Sequence, residues 1–252
     1  MSRNHAIRLS ALFVLFAGST AVAQQPSTAL PPAATLVAKY SDAVGGAAML
    51  KAPQITSKGS LMMAAAGINA TFEMVQIQPS KMRMVTTIPG VGEILVGYDG
   101  TNAWSVDPMQ GPRVLAGKEK TEIQEEADPR ASVRSMELIE KAETVADTTM
   151  GTERCYLVKL NWKSGRETFD CYSPATGLLV GSKSVQSTAM GEIPVATIYS
   201  DYKKFGDFMV PTKVTQSMMG QQQVMTISSV EVGSGAGVTI VAPPEVQALI
   251  KK

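Results

Sequence analysis

Between residues 33 and 51, apolar positions recur every three or four residues, as one face of an amphipathic helix requires. The pattern predicts a helix from residue 33 to about Gly45-Gly46, which resumes towards Lys51. Such a short helix needs a partner surface on which to bury its apolar side. The apolar positions are Leu36, Val37, Tyr40, Val44 and Met49.

After Pro53 the pattern changes to short apolar segments separated by turn sequences at intervals of roughly ten residues, which predicts strands. One segment carries Trp104 between two turn signals, Asp99-Gly100 and Asp107-Pro108, and is predicted to be a strand of a meander. The other predicted strands span residues 55–65, 69–78, 81–88 and 93–98 in a first group, and 144–150, 154–162, 167–172, 178–187, 194–202, 208–218 and 223–232 in a second.

The most charged segment, residues 118–141, separates the two groups of strands. It is predicted to form one or two helices broken at Asp128-Pro129. The chain is therefore expected to be mainly β with helices, in one large antiparallel sheet. Such a sheet buries one face by closing into a barrel or by wrapping around helices. Wrapping is favoured, because the helices need cover and few strands are apolar on both faces.

The amino-terminal residues have the parts of a secretory signal peptide. Arg3 and Arg8 precede an apolar run, and Ala21-Val22-Ala23 forms an A-x-A cleavage site. The run is too short to span a membrane, and no cysteine follows the small residues for lipid attachment. The sequence predicts a signal peptide at 1–23, a flexible leader at 24–32, a single domain at 33–252, and a periplasmic or secreted protein.

Composition narrows the chemistry available to the processed chain. The only histidine, His5, lies in the predicted signal peptide. Catalysis by Ser-His-Asp or Cys-His groups is then excluded, and the commonest transition-metal ligand is lost. The chain has 23 basic and 22 acidic residues, and no basic patch suggests nucleic acid. We expect no nucleic-acid partner, no cofactor and no metal.

Other catalytic patterns are equally weak. The acidic residues of segment 118–141 are expected to form a solvated helix face, because they lie among lysines with no apolar pocket to raise a pKa. A methionine copper site, suggested by Met82-Arg83-Met84, lacks histidine and repeated methionine motifs. No G-x-S-x-G or S-x-x-K nucleophile motif is present. The chain is therefore predicted not to be an enzyme.

The two cysteines, Cys155 and Cys171, flank the turn sequence at residues 163–166. In a hairpin closed by that turn they lie nearly opposite each other, in a register that is off by about one residue and needs a bulge. An oxidising compartment favours a cross-strand disulfide over two free thiols. A redox-active pair is the weaker alternative, because no C-x-x-C motif lowers a thiol pKa.

Methionine is frequent, with 15 in the chain. It stands with alanine at apolar positions of the early strands, where an ordinary core uses Ile, Val or Phe, and it recurs in a later group that includes Met218 and Met225. Methionine adapts to irregular apolar shapes, and alanine leaves space. The pattern fits either a loosely packed core or a deformable apolar cavity for acyl chains or similar cargo.

Residues 78–108 resemble the periplasmic lipoprotein-carrier superfamily, which has the LolA-like fold and includes outer-membrane lipoprotein-sorting proteins. Residues 237–249 (GVTIVAPPEVQAL) are similar to the closing strand and tail of the family, and residues 200–214 are similar to a hairpin seen in it. The positions that carry the resemblance are Pro79, Met82 to Met84, Pro89, Asp99-Gly100, Trp104 and Pro108.

The resemblance implies an unclosed β-barrel, or half-barrel, wrapped around the N-terminal helix and the mid-chain helical insertion. It implies a lipid or an acylated lipoprotein as ligand, an envelope protein as a further partner, and only transient membrane contact. On this likeness, Trp104 helps to line or floor the cavity. The expected ligand-binding residues are Met62, Phe72, Met74, Met82, Met84, Leu95 and Trp104.

One position departs from the family pattern. In carriers that shuttle lipoproteins, an arginine before the first strand-ending proline can help to regulate opening, but Gln78 occupies that position here. Hydrophobe binding is therefore better supported than regulated lipoprotein transfer. The alternative function is an envelope protein-interaction or sensor domain of the same fold without lipid cargo, because one fold hosts several functions.

Overall fold

A computed structural model describes residues 29–188 and 191–251 of the chain. The predicted signal peptide and most of the predicted leader lie outside these residues. In the described part, thirteen antiparallel strands form one continuous sheet, which confirms the prediction of a mainly β chain. No helix within the described ranges is long and apolar enough to cross a membrane.

The elements follow the order predicted from hydrophobic spacing. The strands are β1 (Gln54–Met63), β2 (Ile68–Ile77), β3 (Lys81–Ile88), β4 (Gly92–Tyr98), β5 (Ala103–Asp107), β6 (Gly111–Leu115), β7 (Ile139–Met150), β8 (Glu153–Trp162), β9 (Glu167–Tyr172), β10 (Leu179–Thr188), β11 (Gly191–Phe205), β12 (Phe208–Met218) and β13 (Gln221–Gly233). The helices are α1 (Ala33–Ala43), α2 (Gly46–Met49), α3 (Gly117–Glu126), α4 (Pro129–Ser132) and α5 (Pro244–Ile250), with a 3-10 helix at Ala64–Ala66.

The sheet is an open meander in which one pair of neighbouring strands comes from distant parts of the chain. Strand β1 pairs with β2 on one side and with β13 on the other, so the two ends of the strand sequence meet in the middle of the sheet. From this junction the sheet extends to β6 at one edge and β7 at the other. Because the edges β6 and β7 do not pair with each other, the sheet is a half-barrel, as the resemblance implied.

The helices divide the two faces of the sheet. We call the face that carries α1 to α4 the inner face and the opposite one the outer face. On the inner face, Leu36 and Tyr40 of α1 pack against Val158, Leu160 and Trp162 of β8. On the outer face, Val246 of α5 is fully buried. The N-terminal helix and the helical insertion therefore both lie inside the curve of the sheet, as predicted.

The charged segment forms two helices, with the predicted break at Asp128-Pro129. The Asp128 carboxylate accepts a hydrogen bond from the backbone N–H of Arg130 (2.9 Å) and caps α4, which begins at Pro129. The prediction of helix to residue 141 is wrong, because Arg134 has a φ of 56° and β7 begins at Ile139. Strand β6 was not predicted, because its sequence GPRVL has little alternation.

The disulfide between Cys155 and Cys171 is present, as predicted. Tyr156 of β8 lies opposite Tyr172 of β9, so the cysteines are diagonal neighbours on the outer face, with their Cα atoms 5.4 Å apart. The predicted bulge is wrong, because the pairing of β8 with β9 shows no register shift. A diagonal pair spans this distance in a regular ladder.

A methionine strip and a charged cavity on the inner face

Strand register decides which of the predicted ligand-binding residues share a face. Met84 of β3 lies opposite Met74 of β2 and Val96 of β4. Side chains alternate between the faces along each strand, so these pairings assign every neighbouring position. Phe72, Met74, Met82 and Met84 lie on the inner face, whereas Met62, Leu95 and Trp104 lie on the outer face.

Trp104 is fully buried beneath the C-terminal segment of the chain. Its ring packs with Ile240, Ala242 and Val246. The ring also covers Gly97 of β4, where an added Cβ would come within 2.4 Å of the indole Cζ2 atom. Trp104 is thus part of an outer core that residues 237–249 complete, and it stays outside the ligand surface proposed below.

A strip of apolar side chains crosses the inner face near the junction of β1 with β13. It lies on β1, β2, β3, β12 and β13. Helix α1 packs over β7 to β10, and α3 packs mainly over β4, β5 and β10, with Ile123 also packed against the cluster that contains Met74 and Met82. Phe72 is buried there, and its ring closes the space beside Gly59. The methionines of the strip are Met63, Met74, Met82, Met84, Met218 and Met225, of which Met82 is fully buried and the other five are partly exposed.

Three cavities in the described part of the chain share lining residues. A rim cavity of about 260 Å³ is bounded by Met63, Met218 and the 3-10 helix. Gln216 lines both this cavity and a central cavity of about 370 Å³. Glu122 and Arg166 line both the central cavity and a side cavity of about 530 Å³. The rim cavity is lined mainly by apolar and amide side chains, whereas the central cavity is lined by charged ones.

Two ion pairs line the central cavity. Arg134 Nε lies 2.6 Å from Oδ2 of Asp170, and the Asp170 side chain is completely buried. Arg166 Nη2 lies 2.7 Å from Oε2 of Glu125, whose side chain is only 13% exposed. The prediction that the acidic residues of α3 form a solvated face is therefore wrong for Glu125. Arg166 lies far from Glu125 in the chain and reaches it only through the fold of the sheet, so no local sequence pattern indicates the pair.

Trp162 anchors both arginines. The guanidinium carbons of Arg134 and Arg166 lie 5.8 Å and 4.7 Å from the centroid of its ring, within the range of cation–π attraction. The indole N–H donates a hydrogen bond to the hydroxyl oxygen of Thr168 (3.1 Å). The second tryptophan of the chain thus holds the charged groups in place, a role that sequence spacing did not indicate.

Two tyrosines beside the cluster have perturbed pKa values. Burial raises the pKa of Tyr40 to about 12, and burial together with Asp170 holds the pKa of Tyr172 well above its usual range. Both phenols are therefore neutral at physiological pH. Within the described residues, no three His, Cys, Asp or Glu side chains are grouped to hold a metal ion.

The fold is similar to that of known LolA-superfamily structures. A DUF1329 family protein from Desulfovibrio piger has a TM-score of 0.56 and 12% identity, with 82% of this chain and 96% of that chain covered. A LolA superfamily protein from Nitrosomonas europaea has a TM-score of 0.56 and 10% identity, with 81% and 95% covered. No protein-family model and no curated protein matches this chain. The fold is LolA-like, as residues 78–108 indicated.

Proposed function

We propose that this protein binds lipids or the acyl chains of lipoproteins on the inner face of its half-barrel and carries them through the periplasm. The observation that supports this most is the methionine strip, where five of six inner-face methionines remain partly exposed. A sealed core would bury them, because exposed apolar area costs about 25 cal/mol per Å². A deformable surface beside a rim cavity suits a flexible chain.

The compartment follows from independent features. The predicted signal peptide directs export, and the Cys155–Cys171 disulfide is stable in an oxidising environment. The LolA-like fold, found in a superfamily named for lipoprotein sorting, agrees with an envelope location. We therefore place the carrier in the periplasm, with a binding role and no catalytic one.

Native mass spectrometry of the protein purified from a membrane-bearing host tests the proposal. We expect lipid or acylated peptide to be bound at a defined ratio and to be recovered by solvent extraction. Met84→Glu places a charge in the strip and should lower lipid occupancy at least about tenfold, because burial of an unpaired charge is costly.

Met62→Glu is the matched control, because Met62 lies on the outer face and is 45% exposed. It should leave lipid occupancy unchanged. Equal loss of lipid in both variants would contradict the proposed surface. An apo mass for the wild-type protein, with no uptake of added lipid, would instead favour the envelope protein-interaction domain.

A further inference from the structure

The central cavity has an excess of acidic groups. Once the Arg134–Asp170 and Arg166–Glu125 pairs are set aside, two carboxylates form no ion pair with any described residue. One of these, Glu122, accepts a hydrogen bond from the backbone N–H of Ser187 (2.8 Å). The acidic and basic residues that line the cavity are Glu122, Glu125, Glu126, Asp170, Arg134 and Arg166, and Tyr199 is its one tyrosine.

The two unpaired carboxylates lie one helical turn apart on α3. Like charges at positions i and i+4 of a helix repel each other. Partial desolvation raises the pKa of Glu126, which is exposed at the end of α3; Arg166 lowers this pKa and Glu122 raises it further. A positively charged group close to both carboxylates would remove the repulsion.

Asp170 is an independent indication of a ligand. Its side chain is fully buried and lines the cavity; Oδ2 accepts hydrogen bonds from Arg134 (2.6 Å) and from the Tyr172 hydroxyl (3.4 Å), but Oδ1 has no hydrogen-bond partner among the described groups. The Nε–H group of Arg166 is also buried without an acceptor. Buried polar groups normally have partners, so the cavity offers both an unused acceptor and an unused donor.

We propose that the central cavity binds the head group of an aminophospholipid, in which an ammonium group follows a phosphate. The ammonium lies beside Glu122 and Glu126, and the phosphate faces the unused donor of Arg166. This inference rests on the proposed function, because the acyl chains then lie on the methionine strip. Met74 and Gln216, which line the cavity, connect the two regions.

Two other ligands fit less well. A purely anionic head group would add negative charge to a cavity that already has more carboxylates than guanidiniums. A divalent metal ion needs several oxygen ligands in a close shell, and the described residues contain no group of three suitable side chains. An ammonium group has three donors and is satisfied by two or three acceptors.

A competition between two lipids tests the inference. The protein is mixed with vesicles of equimolar dioleoyl phosphatidylethanolamine and dioleoyl phosphatidylglycerol, separated from them, and analysed by native mass spectrometry. We expect bound phosphatidylethanolamine to exceed phosphatidylglycerol about tenfold. In the Glu122→Gln, Glu126→Gln double variant the ratio should fall to about two or less.

Glu119→Gln is the matched control, because Glu119 lies on the same helix, pairs with Arg113 (2.9 Å) and lines none of the three cavities. It should keep the wild-type ratio. N-acetylated phosphatidylethanolamine, which lacks the ammonium, should be bound no better than phosphatidylglycerol.

Equal uptake of both lipids by the wild type, or an unchanged ratio in the double variant, would overturn the head-group assignment and leave the carrier proposal standing. Loss of the preference in EDTA would also overturn it, because a metal ion would then supply the positive charge. Absence of any bound lipid would refute the carrier proposal itself.

Discussion

At the scale of single residues, Tyr40 shows how burial couples stability to pH. The Tyr40 hydroxyl donates to the carbonyl oxygen of Ser132 (3.3 Å), and burial raises its pKa to about 12, although Arg134 opposes the effect. The folded state therefore favours the neutral phenol. Its contribution to stability is complete below the unfolded pKa of about 10 and is lost as the pH rises through the folded pKa.

We expect Tyr40→Phe to reduce the alkaline loss of stability. Between pH 8 and pH 12, ionisation of Tyr40 should lower the free energy of unfolding of the wild type by about 2 kcal/mol, and the variant should not show this loss. Urea unfolding of the wild type and the variant across this range measures the difference, with pH 8 as the internal reference for the lost hydrogen bond. Parallel pH curves for the two proteins would show that Tyr40 is not the group responsible.

At the scale of elements, the hairpin of β8 and β9 carries most of the charged cluster. Trp162, Arg166 and Asp170 all lie on this hairpin or its turn, and the disulfide holds its two strands together from the outer face. The hairpin thus presents the Arg166 and Asp170 side chains to the cavity at fixed separation. The proposed head-group site relies on these two side chains.

Removal of the disulfide should destabilise the protein without changing its fold. The crosslink closes a loop with a sequence separation of 16 residues, and both cysteines are fully buried. The Cys155→Ala, Cys171→Ala double variant should lose about 3 kcal/mol of unfolding free energy in urea. The wild type unfolded with a reducing agent should show a similar loss. Identical urea midpoints for the oxidised wild type and the variant would refute a stabilising role.

At the scale of the whole molecule, ligand binding should stabilise the half-barrel, because the site exists only in the folded state. A ligand present at a hundred times its Kd adds about 2.7 kcal/mol of stability, which corresponds to an increase in Tm of roughly 5 to 10 °C for a chain of this size. Thermal unfolding with added lysophosphatidylethanolamine measures the shift. Met84→Glu should abolish it and Met62→Glu should retain it; the same shift in both variants would exclude binding on the inner face.

Most of the fold could be predicted, because local patterns encode it. Alternation and turn residues located every strand except β6, and the predicted bounds of β3, β9 and β12 agree with the structure. An open sheet wrapped around helices was favoured because the helices need cover and few strands are apolar on both faces, and the family resemblance implied the half-barrel. The disulfide followed from two cysteines beside one turn, although the spacing alone misjudged their register.

The candidate site was predicted only in part. The methionine-rich face could be predicted because residue type reveals its apolar character, and four of the seven expected ligand residues lie on the inner face; that they bind a ligand stays a prediction. The sequence could not show that Trp104 and Leu95 lie on the outer face. A shift of one residue reverses side-chain direction, and no single-strand pattern shows which face the helices cover. The charged cavity was missed, because Arg134 and Asp170 are 36 residues apart in the chain.

The sequence by itself determined the identity and order of the elements and the apolar character of the inner strands, since each depends on residues close together in the chain. Only the tertiary structure decided which face is inner, that residues 237–249 cover Trp104, and that α3 faces Arg166. These outcomes depend on the pairing of β1 with β13 and on the curvature of the sheet. Long-range contacts of this kind are selected by the burial of the whole sheet and leave no local pattern.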